Sequence, residues 1–95
     1  MPTSLERALA FDDALAHCLQ ECRNQASIAQ SVLAQELEMD QSNISRIEDG
    51  KRRITVSDAM RWFEAVGMDP TTSGKLIANL WEKHGSRSAS LWREA

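Results

Sequence analysis

A chain of 95 residues with a net charge of −3, 42% hydrophobic and 26% charged, fits one soluble globular domain with a single modest core. It contains no apolar run of about 18 residues, which excludes a membrane-spanning helix, and the opening MPTSLERALAFDD lacks the basic-then-apolar pattern of a secretory leader. A cytoplasmic protein is therefore expected. The acidic balance argues against whole-surface attraction to nucleic acid but leaves room for a local basic patch: of eleven cations, five (Arg46, Lys51, Arg52, Arg53 and Arg61) fall close together.

There is no tyrosine and little Val/Ile/Thr alternation, so strands are not expected and the pattern is all-α, a compact bundle of five helices. The first helix begins near Ser4 as N-cap and carries Ala8, Phe11, Leu15, Cys18 and Cys22 at helical intervals, with Leu5 and Leu19 widening the stripe, up to about Asn24. Cys18 and Cys22 share a face as small buried hydrophobes, because a metal site would need more ligands than His17 and His84 supply. The second helix runs from about Gln30 to Leu37, with Leu33 and Leu37 inward and Ala34 small between them. The third runs from Gln41 to Glu48, capped by Asp40, anchored by Ile44 and Ile47 and stopped by Gly50. The fourth follows Thr55, which forms a capping-box-like pair with Asp58; Val56, Ala59, Met60, Phe63 and Val66 make its apolar stripe and Gly67 closes it. The fifth starts at Asp69–Pro70 or at Ser73, turns Leu76, Ile77, Leu80 and Trp81 to one face, and ends at His84–Gly85. The tail SRSASLWREA is either frayed or forms a short turn around Leu91 and Trp92. One domain over residues 1–85 with a tail at 86–95 is the expected organisation.

The second and third helices are joined by only Glu38, Met39 and Asp40, the geometry of a helix-turn-helix, with Met39 as the buried pin of the turn. Outward on the third helix stand Gln41, Ser42, Ser45 and Arg46, with Asn43 at the edge. Gln and Asn match the donor–acceptor edge of adenine, Arg matches guanine, and small Ser allows close approach to a groove floor. A merely solvated face would favour Glu and Lys, which are better helix formers than Ser and Asn. Lys51, Arg52 and Arg53 follow at once, where a loop past a groove-bound helix meets the sugar–phosphate backbone and releases counterions.

The stretch AQSVLAQELEMDQSNISRIEDGKRR resembles the phage-repressor helix-turn-helix family, the XRE or lambda-repressor/Cro type. The resemblance spans about residues 15–68, the core of the domain, and rests on QxxLA at Gln30–Ala34, QSNISRIE at Gln41–Glu48 and GKR at Gly50–Arg52. It implies a lambda-repressor-like DNA-binding domain that places Gln41–Glu48 in the major groove. Gln41, Ser42 and Arg46 would read bases, and Ser45 a base edge or phosphate. Gln30 would touch phosphate and brace Gln41, while Asn43, Lys51, Arg52 and Arg53 would contact the backbone. Arg23 and Glu48 match an interior ion pair. Three positions depart from the pattern: Ala29 lacks a capping hydroxyl, Glu38 replaces the usual turn glycine, and Asp49 puts an acid where phosphate is often met.

The implied function is sequence-specific binding of double-stranded DNA by a transcriptional regulator, a repressor, acting as a homodimer on a palindromic operator with half-sites about 34 Å apart. Leu76, Ile77, Leu80 and Trp81 of the fifth helix (about residues 70–84), with Trp92 beyond it, are the candidate dimer seam; the same residues would equally complete the monomer's own core. The alternative is a protein-interaction module, such as an antitoxin or adaptor whose main partner is a protein. An enzyme is not expected, since no nucleophile–base arrangement, metal cluster or phosphate loop is legible, and no cofactor is expected either.

Overall fold

The computed structural model describes residues 2–87 and places five α-helices in chain order: α1 (Ser4–Gln25), α2 (Gln30–Leu37), α3 (Gln41–Glu48), α4 (Val56–Ala65) and α5 (Pro70–Leu80), the last continued by a π-helical turn, Trp81–Gly85. The all-α, five-helix class follows directly, with no strand among the described residues.

The core lies where α1, α2, α3 and α4 converge: Leu15 and Leu19, Leu33 and Leu37, Ile44 and Ile47, and Ala59, Trp62 and Phe63 are all buried. Each large apolar side chain removed from water in this way contributes roughly 1.5–3 kcal/mol before entropy is counted. Trp62 occupies the centre, fully buried, and its indole Nε1 donates to the Leu19 carbonyl at 3.1 Å. The stripe expected on α4 omits it and includes Val56, which is 76% exposed. Leu5, expected on the inner stripe of α1, is likewise exposed. Cys18 and Cys22 are half-buried free thiols packed against the core, and burial pushes the Cys18 thiol up to about 12, so it carries no thiolate chemistry near neutrality.

The helix starts are set by local chemistry. Thr3, one residue before the expected cap, closes a reciprocal box on α1: its hydroxyl accepts from Glu6 N and its own N–H donates to Glu6 Oε1, both at 3.1 Å. Thr55 accepts from Asp58 N at 3.1 Å, but the Asp58 carboxylate turns to Arg61 instead of back to Thr55, so only half of that box forms. Asp69 accepts from Thr72 N at 2.9 Å, with Pro70 just inside the helix.

Four helix ends share one solution. After α1, α2, α3 and α4 the chain enters the left-handed region at Ser27 (φ 58), Glu38 (φ 55), Gly50 (φ 73) and Gly67 (φ 92). The next N–H reaches back to a carbonyl in the last turn: Ile28 to Arg23, Met39 to Ala34, Lys51 to Arg46 and Met68 to Phe63. This is the Schellman closure, in which a hydrophobic residue after the left-handed one folds onto the helix. Ile28, Met39 and Met68 do so, half-buried against the core. Lys51 is the exception: polar and exposed, it sends the chain outward after α3.

At the far end, α5 brings Leu76, Ile77 and Leu80 half-buried against the monomer's core, while Trp81 stays 45% exposed and meets Phe11 edge-on with ring centroids 5.3 Å apart. Gly85 is buried directly against Trp81, where any Cβ would enter the indole ring. The guanidinium of Arg7 donates to the Gly85 carbonyl at 3.2 Å and to the Pro2 carbonyl at 3.0 Å. Trp92 lies outside the described residues.

Candidate nucleic-acid interface

The site is built on the α2–α3 corner. Glu38 adopts the left-handed conformation (φ 55, ψ 44) that a glycine would take without strain, at a cost of about 1–2 kcal/mol for an L side chain. Met39 behind it is half-buried and pins the turn to the core. Ile44 and Ile47, 0% and 3% exposed, then fix the rotation of α3 about its axis. With those two inward, Gln41, Ser42 and Arg46 emerge exposed on the opposite side, Ser45 half-buried between them. Asp49 is also exposed at the end of this face.

Asp40 occupies the N-cap position of α3 with extended backbone, yet its side chain makes no capping bond, and the same holds for Ala29 at the start of α2. The expectation that Asp40 caps α3 through its carboxylate is therefore corrected: its backbone sets the helix start and its side chain does not contribute. The two helices of the corner begin without side-chain caps, whereas α1, α4 and α5 are capped by Thr3, Thr55 and Asp69.

Behind the outward face of α3 lies a buried polar knot. Arg23 Nε donates to Glu48 Oε2 at 2.5 Å and Arg23 Nη2 to Glu48 Oε1 at 2.9 Å, while Nη1 reaches the Ile28 carbonyl at 2.9 Å. The Glu48 carboxylate raises the Arg23 pKa above its ordinary value, against the opposing effect of burial. Gln30 Nε2 joins at 2.9 Å on Glu48 Oε1. The expected brace from Gln30 thus runs to Glu48 and not to Gln41, because a buried carboxylate is a stronger acceptor than a neutral amide. An amide nitrogen carries two hydrogens, so the second remains for an outside acceptor.

The basic loop divides by partner. Arg52 Nη1 donates to Asn43 Oδ1 at 2.5 Å, back across α3. Arg53 lies 3.7 Å from Asp12 on α1, both exposed enough that the pair adds little stability. Arg61, counted with the basic edge in the sequence, is spoken for: it pairs with Asp58 at 3.1 Å and donates to the Leu37 carbonyl at 2.6 Å, tying α4 to the end of α2. Among the described residues, Arg46 and Lys51 make no ion pair.

The sequence alone did not disclose the Asn43–Arg52 bond, the turning of Gln30 to Glu48 or the structural use of Arg61. No pattern links positions 43 and 52, whereas Arg61, one helical turn after Asp58, carried a local signal for its ion pair. Among the described residues no group of three or more His, Cys, Asp or Glu is placed to hold a metal ion.

Against known proteins, a family model described as a helix-turn-helix domain matches residues 14–73, which takes in α2, α3, the basic loop and α4. No curated protein and no solved structure matches the chain significantly.

Proposed function

The chain belongs to the helix-turn-helix domain family, and on that premise we propose that it is a sequence-specific double-stranded DNA-binding transcriptional regulator, a repressor that acts as a homodimer on a palindromic operator. The observation that carries this is the outward side of α3, where Gln41, Ser42 and Arg46 stand exposed while Ile44 and Ile47 lock the helix from within. In this reading Gln41–Glu48 lies in the major groove, with Gln41, Ser42, Ser45 and Arg46 at base edges. Gln30, Lys51, Arg52 and Arg53 serve the sugar–phosphate backbone, with Asn43 beside Arg52. Arg23 and Glu48 hold the corner beneath.

Two copies are needed because one such unit reads half a site. The apolar surface left at Trp81, with Leu76, Ile77 and Leu80 only half-buried, supports a seam along α5; Trp92 would extend it. The cytoplasm is the place such a regulator works, and no helix among the described residues is long and apolar enough to cross a membrane. Neither a cofactor nor catalysis enters this reading.

Selection of bound duplexes from a random DNA pool tests it. Recovery of a palindromic consensus with half-sites about 34 Å apart is the expected result. No enrichment, together with binding that does not weaken with salt, would sink it and favour a module whose main partner is a protein. Measuring affinity against protein concentration tests the homodimer: a monomer bound at full strength to one half-site would exclude it.

A further inference from the structure

Resting on the reading of α3 as the groove-facing helix, we propose that Asn43 is a positioning residue that acts on DNA through Arg52, and is neither a base reader nor a phosphate contact in its own right. Arg52 is fixed at two points. Its backbone N–H, like that of Lys51, donates to the Arg46 carbonyl, at 3.3 and 2.9 Å respectively. Its guanidinium lies on Asn43 Oδ1 at 2.5 Å. The loop after α3 is thereby strapped back along the helix it follows, with the cation held beside the first turn.

The bond limits what each partner does. Recognition of adenine by an asparagine uses both the amide oxygen and the amide nitrogen. The bond leaves the oxygen a second lone pair but turns that edge of the half-buried amide toward Arg52. A guanidinium has five N–H donors, so one spent on Asn43 leaves a fork free for phosphate. An unattached arginine loses rotamer freedom when it meets a phosphate; Arg52 has lost much of it beforehand. Its neighbours differ: Lys51 is exposed without an ion pair among the described residues, and Arg53 is drawn toward Asp12 on another helix. Arg52 is the cation of this run tied to α3 by its side chain.

A double-mutant cycle on the duplex recovered from the random pool tests the proposal, with far-UV circular dichroism confirming that each variant is folded. Asn43→Ala is expected to weaken binding by about three- to tenfold, Arg52→Ala by more, and the double variant no further than Arg52→Ala alone. An Asn43→Ala penalty of the same size in the Arg52→Ala background would mean that Asn43 touches DNA directly and would overturn the proposal, as would no penalty at all. In the free protein, nitrogen NMR should find rotation of the Arg52 guanidinium slower than that of Arg53, and Asn43→Ala should abolish the difference; equal mobility in the native chain overturns the bond itself. Failure of the parent reading looks different, because Gln41→Ala and Arg46→Ala would then leave binding unchanged.

Discussion

Arg23 and Glu48 meet in a two-pronged pair, Nε to Oε2 and Nη2 to Oε1, that joins the last turn of α1 to the last turn of α3. Glu48 is 6% exposed and Arg23 is 9% exposed, so neither charge has water to fall back on. Removing one partner strands the other, which typically costs about 3–5 kcal/mol, while replacing both by apolar groups of similar volume is often near neutral. Arg23→Met should therefore be strongly destabilised in urea titration, and Arg23→Met/Glu48→Leu much less so. A double variant no more stable than the single one would contradict this account of the pair.

The outward face of α3 separates from the fold because Gln41, Ser42 and Arg46 are exposed. Gln41→Ala and Arg46→Ala should each weaken binding to the selected duplex by about 1–3 kcal/mol and relax base preference locally. Their thermal melts should match the native chain, since neither residue belongs to the buried core. Normal affinity in both variants would remove α3 from the interface.

Lys51 stands where three other helix exits place a hydrophobic residue, so its cost to packing is small and its charge is free to act. Lys51→Ala should weaken selected and mixed-sequence duplexes alike and reduce the slope of log affinity against log salt by about one. An unchanged slope would mean that Lys51 does not meet phosphate.

Acid should loosen two helix starts. The Thr72 N–H and hydroxyl hold Asp69 below its ordinary value, and the Thr3 N–H and hydroxyl do the same for Glu6. In both cases the unfolded chain binds protons more readily, so stability rises with pH across this range. Their contribution is complete above the unfolded values, near pH 4, and is lost as pH falls through the lowered folded values. The urea midpoint should decline from about pH 5 downward, and Asp69→Ala should flatten part of that decline. An identical acid limb in Asp69→Ala would show that the cap does not titrate with folding.

Helix positions were legible because apolar periodicity and stop residues agree: α2 and α3 fall at Gln30–Leu37 and Gln41–Glu48, as the spacing implies. Exposure of the α3 face was legible too, since two isoleucines fix its inward side. Trp62 was not identified in the apolar stripe, although it lies a turn after Ala59, because a stripe drawn through Met60 and Phe63 already satisfies the period. The polar links were hidden for a different reason. Gln30 to Glu48 and Arg61 to the Leu37 carbonyl depend on how helices cross, and Asn43 to Arg52 on how the loop after α3 folds back, neither of which one-dimensional spacing specifies.

One guanidinium, that of Arg7, grips a carbonyl from each extremity of the described chain, Pro2 and Gly85. One side chain thus ties the approach to α1 to the end of the π-helical turn, 78 residues apart along the chain from Arg7 to Gly85. Neither Arg7 nor Gly85 belongs to the apolar core that holds the α2–α3 corner, so the clasp and the corner rest on separate contacts.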